Sequence, residues 1–142
     1  MKYYVVFDTN VLISSLLTKK PGTATGRIVD MITEGIITPV FNQEILDEYR
    51  DVLHRKKFSF SDQAIDNLLR MMIQFGQSIE ALETEEPFLR DSDDKVFFEV
   101  VMAKRGQTDS QKDAYLISGN LKHYPLRPFI VTPAEMLAII LQ

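Results

Sequence analysis

Tyr3-Tyr4-Val5-Val6-Phe7, followed at once by Asp8-Thr9-Asn10, is the stretch that most restricts what this chain can fold into. Five consecutive apolar, mostly β-forming residues suit a strand buried on both faces, the habit of a parallel sheet covered by helices. An acid and an amide stand where that strand must end. In open parallel α/β sheets, ligands bind in the crevice beyond the carboxyl ends of the strands, so Asp8 falls where chemistry concentrates. The competing use of Asp8 or Asn10 is as the N-cap of the helix that follows.

The remaining elements repeat this alternation. Val11 to Leu17 and Thr23 to Thr33 read as helices, the second ending before Gly35, a left-handed residue just past its end. Ile36 to Phe41 reads as a strand whose Pro39 points to an edge or an irregular end. Asn42 caps a helix to about Leu53, and His54-Arg55-Lys56-Lys57 sets positive charge at its C-terminal end. Ser61 or Asp62 opens a helix carrying Ile65, Leu68, Leu69, Met72 and Ile73 at helical spacing, and Ser78 to Leu82 suits a short strand. Asp91-Ser92-Asp93-Asp94 opens a helix to about Lys104, and Ala114 to Ser118 and Phe129 to Val131 are strands. Thr132 caps a final helix with Pro133 at its first position. The class is α/β, a central parallel sheet sandwiched between helices, in one domain spanning residues 1–142.

Composition narrows the chemistry. The chain has no cysteine, which removes disulfides, thiolate metal ligands and a thiol nucleophile and suits a reducing cytoplasm. No apolar run approaches the ~20 residues of a membrane span, and no charged leader precedes an apolar core. A net charge of -4 argues against tight, non-specific binding to phosphate backbones. It leaves room for an enzyme that handles nucleic acid at a locally basic rim. Lys19, Lys20, Arg55, Lys56, Lys57, Lys104, Arg105, Lys112, Lys122 and Arg127 are the candidates for that rim.

Helical geometry selects which acids face the sheet. In the Asn42–Leu53 helix, Ile45, Leu46, Tyr49, Val52 and Leu53 fall on one arc of roughly 120°. Glu48 lies about 40° outside Val52, at the edge of that arc, while Asp47 and Asp51 point away. In the next acidic helix, Asp94 shares the azimuth of Val101 and sits between those of Phe97 and Phe98, so it faces inward. Asp93 falls on the buried side as well, and Asn120 follows the fourth strand as Asp8 follows the first. Asp113 precedes that strand, at the opposite end of a parallel sheet.

If Asp8, Glu48 and Asp94 converge, each pair at ~4 Å repels by ~4 kcal/mol at an effective dielectric of about 20. Three such pairs rival the whole stability of a small domain, roughly 5–15 kcal/mol. A cation or steeply raised pKa values must relieve them. An all-oxygen donor set without cysteine suits Mg²⁺ or Mn²⁺ rather than zinc. A hard cation in an open carboxylate site activates water and neutralises a phosphodiester, so metal-assisted phosphodiester hydrolysis is the chemistry these residues suit.

Strand–Asp8-Thr9-Asn10, the helix containing Glu48-Tyr49, Asp91-Ser92-Asp93-Asp94-Lys95-Val96-Phe97, and Tyr115-Leu116-Ile117-Ser118-Gly119-Asn120 with His123-Tyr124-Pro125 together resemble the PIN-domain ribonucleases. The closer likeness is to the VapC-like toxin components of bacterial toxin–antitoxin pairs. The resemblance implies a three-layer α/β/α sandwich and RNA cleavage with Mg²⁺ or Mn²⁺. It assigns metal ligation to Asp8, Glu48 and Asp94, the fourth catalytic corner to Asn120, and support of the acids to Thr9, Asn10 and Ser118. The family commonly has Asp at that fourth position, and Asp113 or Asp93 is available to compensate. It also implies an RNA substrate, an antitoxin protein partner and a homodimer. The alternative is a PIN-fold module that binds RNA or protein with weak or no catalysis, for which Asn120 speaks. A phosphotransfer enzyme of the haloacid-dehalogenase type is disfavoured, because the second Asp it needs two residues after the first is Asn10.

Overall fold

The computed structural model describes residues 2–18, 22–81, 83–90, 92–107 and 113–142. Tyr3–Phe7 forms strand β1, and its Val5, Val6 and Phe7 side chains are at most 1% exposed. That is the burial expected of a strand covered on both faces. β1 lies between β2 (Ile37–Phe41) and β4 (Ala114–Ile117), with β3 (Gln77–Ser78) and β5 (Ile130–Val131) at the edges. All four pairings are parallel, in the order β3-β2-β1-β4-β5. Tyr3 is opposite Ile37, and Phe7 opposite Ile117.

The chain fills β2 and β3 on one side of β1 and then crosses to β4 and β5 on the other. Strand order therefore reverses between β1 and β4, and the crevice of an open sheet opens at that switch point. Right-handed crossovers in opposite directions place helices on opposite faces. Helices α1 (Thr9–Leu17), α4 (Asp62–Phe75) and α6 (Pro133–Ile140) pack around α2 (Ala24–Thr33), which lies on β2. Helix α5 (Lys95–Arg105) covers β1, β2 and β4, completing a three-layer α/β/α sandwich. Helix α3 (Gln43–Leu53) touches α1, α4 and α5.

Local chemistry sets the element ends. Asn42 Oδ1 accepts from Ile45 N at 2.9 Å, Thr132 and Glu135 form a reciprocal capping box on α6, and Gly35 takes φ 80 just past α2. Gly76 closes α4 against β2. A Cβ there would press into the Met72 carbonyl oxygen, the Phe41 ring and the Pro39 carbonyl oxygen, so only glycine permits the approach.

Several expectations change. Pro39 is in an interior strand, but β3 pairs with Val40 and Phe41 and leaves the Pro39 flank without a ladder. Lys104 and Arg105 are not rim cations. Lys104 is 2% exposed, donates to Gln77 Oε1 and Gln107 Oε1 at 2.7 Å each, and lies 4.0 Å from the Tyr4 ring centroid. Arg105 donates to the Ala114 carbonyl at 2.7 Å and lies over Phe129. Both tie α5 to the sheet. Lys19, Lys20, Asp91 and Lys112 lie outside the described residues.

Candidate active site

Asp8 ends β1 and caps α1, so its two possible uses coexist. Its backbone N–H extends the ladder by donating to the Ile117 carbonyl at 3.0 Å, and its extended backbone (φ -63, ψ 144) turns the chain into α1. The carboxylate is 5% exposed. Oδ1 accepts from Asn10 N at 3.4 Å, while Oδ2 accepts from Ser118 Oγ at 2.9 Å and from Tyr124 Oη at 2.8 Å. Burying a carboxylate is costly unless donors replace the lost water, and here the first turn of α1 and the segment after β4 supply them.

Ser118 is completely buried and fully used. Its hydroxyl donates to Asp8 and accepts from Asn120 N at 3.0 Å and Asn10 Nδ2 at 3.4 Å. Asn10 Oδ1 in turn accepts from Gly119 N at 3.0 Å. This clasp joins the ends of β1 and β4 and fixes the orientation of the acid between them.

Glu48 reaches the same place through Tyr49. The Tyr49 ring is fully buried beside Phe97, and its hydroxyl donates to the Phe7 carbonyl at 2.6 Å, pinning α3 to the end of β1. Glu48 is then half-buried on the cleft wall. Burial pushes its carboxyl up, repulsion from Asp93, Asp51 and Asp8 adds to the shift, and Arg55 opposes it. Asp94 stands at the N-cap of α5 with helical backbone angles, its N–H donating to Ser92 Oγ at 3.0 Å. Its carboxyl is pushed up to about 6, first by burial and then by Asp8, with Asp93 and Glu48 adding and His123 opposing.

One cleft at the switch point is thus lined by Asp8, Thr9, Asn10, Glu48, Asp93 and Asp94, with Arg55 and His123 on its wall. Asp93 reaches this cleft but is exposed rather than buried, because α5 begins at Lys95 and the helical azimuth does not extend back to it. Asn120 does not line this cleft; its Nδ2 lies 3.0 Å from His123 Nε2, and His123 Nδ1 lies 3.5 Å from Asp94 Oδ2. Asp113 is at the far end of the sheet, where its carbonyl accepts from Tyr4 N at 2.8 Å, and cannot compensate for Asn120. His123 and Tyr124 are the side chains that residue-by-residue reading left out of the site. Their signal was the His123-Tyr124-Pro125 run shortly after the β4 end.

The donor set fits a hard cation: every acid offers oxygen, and burial with the neighbouring negative charges raises the carboxyls of Glu48 and Asp94. Thr9 Oγ1 is buried at the same cleft without a hydrogen-bond partner among the described residues, which leaves an oxygen lone pair facing no protein donor. Among the described residues, no three His, Cys, Asp or Glu side chains close into a ready-made cage. The ~4 Å convergence expected of all three acids is therefore looser. Magnesium sites commonly use one or two carboxylates and complete their shell with water and phosphate. No helix among the described residues is long and apolar enough to cross a membrane.

Comparison with protein-family profiles matches the PIN domain over residues 4–122, from within the first strand to the 3₁₀ turn at Leu121–His123, ending one residue before His123. Neither curated proteins nor solved structures give a match. The matched span contains the five-stranded switch point's β1 and β4 and every acid of the cleft, and on that coverage the chain belongs to the PIN domain family, a nuclease-type fold.

Proposed function

We propose that this protein is a Mg²⁺- or Mn²⁺-dependent endoribonuclease that hydrolyses RNA phosphodiester bonds. Asp8, Glu48 and Asp94 are assigned as the metal-holding acids, with Asn10 and Ser118 orienting Asp8 and the Thr9 hydroxyl, unpartnered among the described residues, beside them as a supporting polar group. One observation carries the reading. Acids from three separate segments line a single cleft at the sheet's switch point, and burial together with repulsion from Asp8 raises Asp94 to about 6. Such a cluster gains from a hard cation, which when bound lowers the pKa of water and offsets phosphoryl charge.

The chain's own groups do the positioning. Ser118 and Tyr124 hold one Asp8 oxygen by donation and leave Oδ1 with only the longer Asn10 contact. Burial and the charges of Asp8 and Asp94 push the Tyr124 hydroxyl far above its usual range, so it stays a donor at every working pH. Arg55 supplies positive charge on a wall otherwise rich in acids, where a substrate phosphate must enter.

The order of the motifs supports a finer reading: the toxin of a toxin–antitoxin pair, acting in the cytoplasm as a homodimer and silenced by an antitoxin protein over the cleft. A binding module without turnover draws on Asn120, whose amide turns to His123. The ends of the RNA products separate these readings. Attack by water leaves a linear phosphate on one product end and a hydroxyl on the other, and the metal-dependent reaction is abolished by EDTA. Cyclic phosphate ends, or cleavage that persists in EDTA, contradict the metal-dependent reading, and tight binding with no products favours the module.

A further inference from the structure

Beyond the acids, the loop from Arg55 to Phe60 carries an arrangement that neither the core nor the metal-holding residues require. Arg55 is on the cleft wall and precedes a 3₁₀ turn at Lys56–Phe58, closed by Phe58 N donating to the Arg55 carbonyl at 3.1 Å. Ser59 follows with φ 54, the one non-glycine residue with a positive φ among those described. That left-handed step is disfavoured for a residue with a Cβ. It brings Phe58 and Phe60 face to face, with ring centroids 5.5 Å apart and planes within 7°. Phe60 packs against the core, whereas Phe58 is half-buried and is not among the residues of the core cluster.

Charge accompanies the rings. Lys56 and Lys57 are exposed and form no ion pair among the described residues. Lys57 Nζ lies over the Phe58 ring, 5.1 Å from its centroid. Arg55 reaches Asp51 at 3.5 Å but is still 52% exposed. Three consecutive cations in a chain of net charge -4, beside an aromatic ledge one turn from the cleft, match a backbone-tracking groove with a stacking platform.

We propose that residues 55–60 form a subsite for single-stranded RNA, in which Phe58 stacks a base next to the scissile phosphate and Lys56 and Lys57 hold the flanking phosphates. Lys57 leaves the ring for phosphate when the base arrives, an exposed cation–π contact being weaker than base stacking. Duplex RNA keeps its bases stacked within the helix and presents none to the ledge. The proposal rests on the ribonuclease reading, and its test is arranged so that the two fail separately.

Binding of a labelled, unstructured RNA is measured in EDTA for wild type, Phe58→Leu and the double variant Lys56→Gln/Lys57→Gln, beside a duplex of the same sequence. Thermal unfolding of each variant serves as the folding control. Phe58→Leu should weaken single-strand binding roughly tenfold and leave duplex binding unchanged. The double variant touches no core residue and should lower the salt slope of log Kd by about 1.4, for two phosphates on a single strand. Hydrolysis of bis(p-nitrophenyl) phosphate in Mn²⁺, which needs no base platform, should be unaffected in all three proteins. Unchanged single-strand binding in both variants, or equally tight duplex binding, overturns the subsite even if wild type cleaves RNA. Binding that depends on these residues, with no cleavage by wild type in any metal, leaves the subsite standing and overturns the ribonuclease reading.

Discussion

Asp94 carries its charge beside Asp8, Glu48 and Asp93, and replacing it with Asn removes that charge at nearly constant size. In metal-free protein at pH 7.5 the variant should be more stable than wild type. The carboxyl is raised from 3.8 to about 6, and at ~1.4 kcal/mol per unit the ionised form costs at most about 3 kcal/mol. The side chain is 24% exposed, so solvent screening reduces this to roughly 1 kcal/mol. A 142-residue chain converts that into a gain of roughly 3 °C in Tm. The sign follows from the direction of the shift. A raised folded-state pKa means that protonation stabilises the fold, an effect complete below about 3.8 and lost as pH rises through about 6. The variant's advantage should therefore be full at pH 7.5 and vanish near pH 4. Differential scanning calorimetry in EDTA at the two pH values measures it. Saturating Mn²⁺ should reverse the order, because binding stabilises the wild-type fold by mass action. A variant no more stable than wild type at pH 7.5 without metal would refute the claim that burial and the neighbouring acids disfavour the charge on Asp94.

Other substitutions test the supports. Tyr124→Phe removes a buried donor 2.8 Å from Asp8 Oδ2 and should cost about 1–3 kcal/mol in urea unfolding. It should also weaken Mn²⁺ binding by about 10–100-fold in a calorimetric titration, as loss of an outer-shell partner does. Gly76→Ala drives a methyl group into the Met72 carbonyl and the Phe41 ring and should destabilise by about 1–3 kcal/mol, read by the same unfolding curves. Asn120→Asp should leave the single-turnover rate within an order of magnitude, because Asn120 faces His123 rather than the cleft. A rise well beyond that would place residue 120 in the ligand shell. Induced expression of wild type should arrest growth of host cells and Asp8→Asn should not, and continued growth with wild type would count against the toxin role.

The fold was legible because its signals are local. Five apolar residues in β1, the Asn42 and Thr132 caps, and Gly35 each fix an element without knowledge of its neighbours. Glu48 and Asp94 were placed on the inner side by helical periodicity, and both line the cleft. Periodicity sets Asp93 on the buried side because it assumes a helix from Asp93, whereas α5 begins two residues later at Lys95 and leaves Asp93 exposed. Lys104 and Arg105 were read as surface cations because charge is their only local feature. Apart from Gln107, three residues beyond Lys104, what holds them inside comes from Gln77, Tyr4, Ala114 and Phe129 on the sheet and its flanks. Tyr124 lies 116 positions from the acid it holds, and no spacing rule links residues so distant. Contacts assembled by strand order, rather than by neighbouring sequence, are what the chain's local pattern could not show.

Cleavage of unstructured RNA by wild type and Asp8→Asn, in excess Mg²⁺ or Mn²⁺ under single-turnover conditions, bears most directly on the account. Asp8 sits at the junction of β1, α1, Ser118 and Tyr124, and Asn keeps its size while removing its charge. Calorimetry beforehand establishes that both proteins are folded. Wild type should cleave, and the substitution should slow it by about 10²-fold or more, the scale of losing one preorganised charge at a reacting centre. Equal rates for the two folded proteins would contradict it.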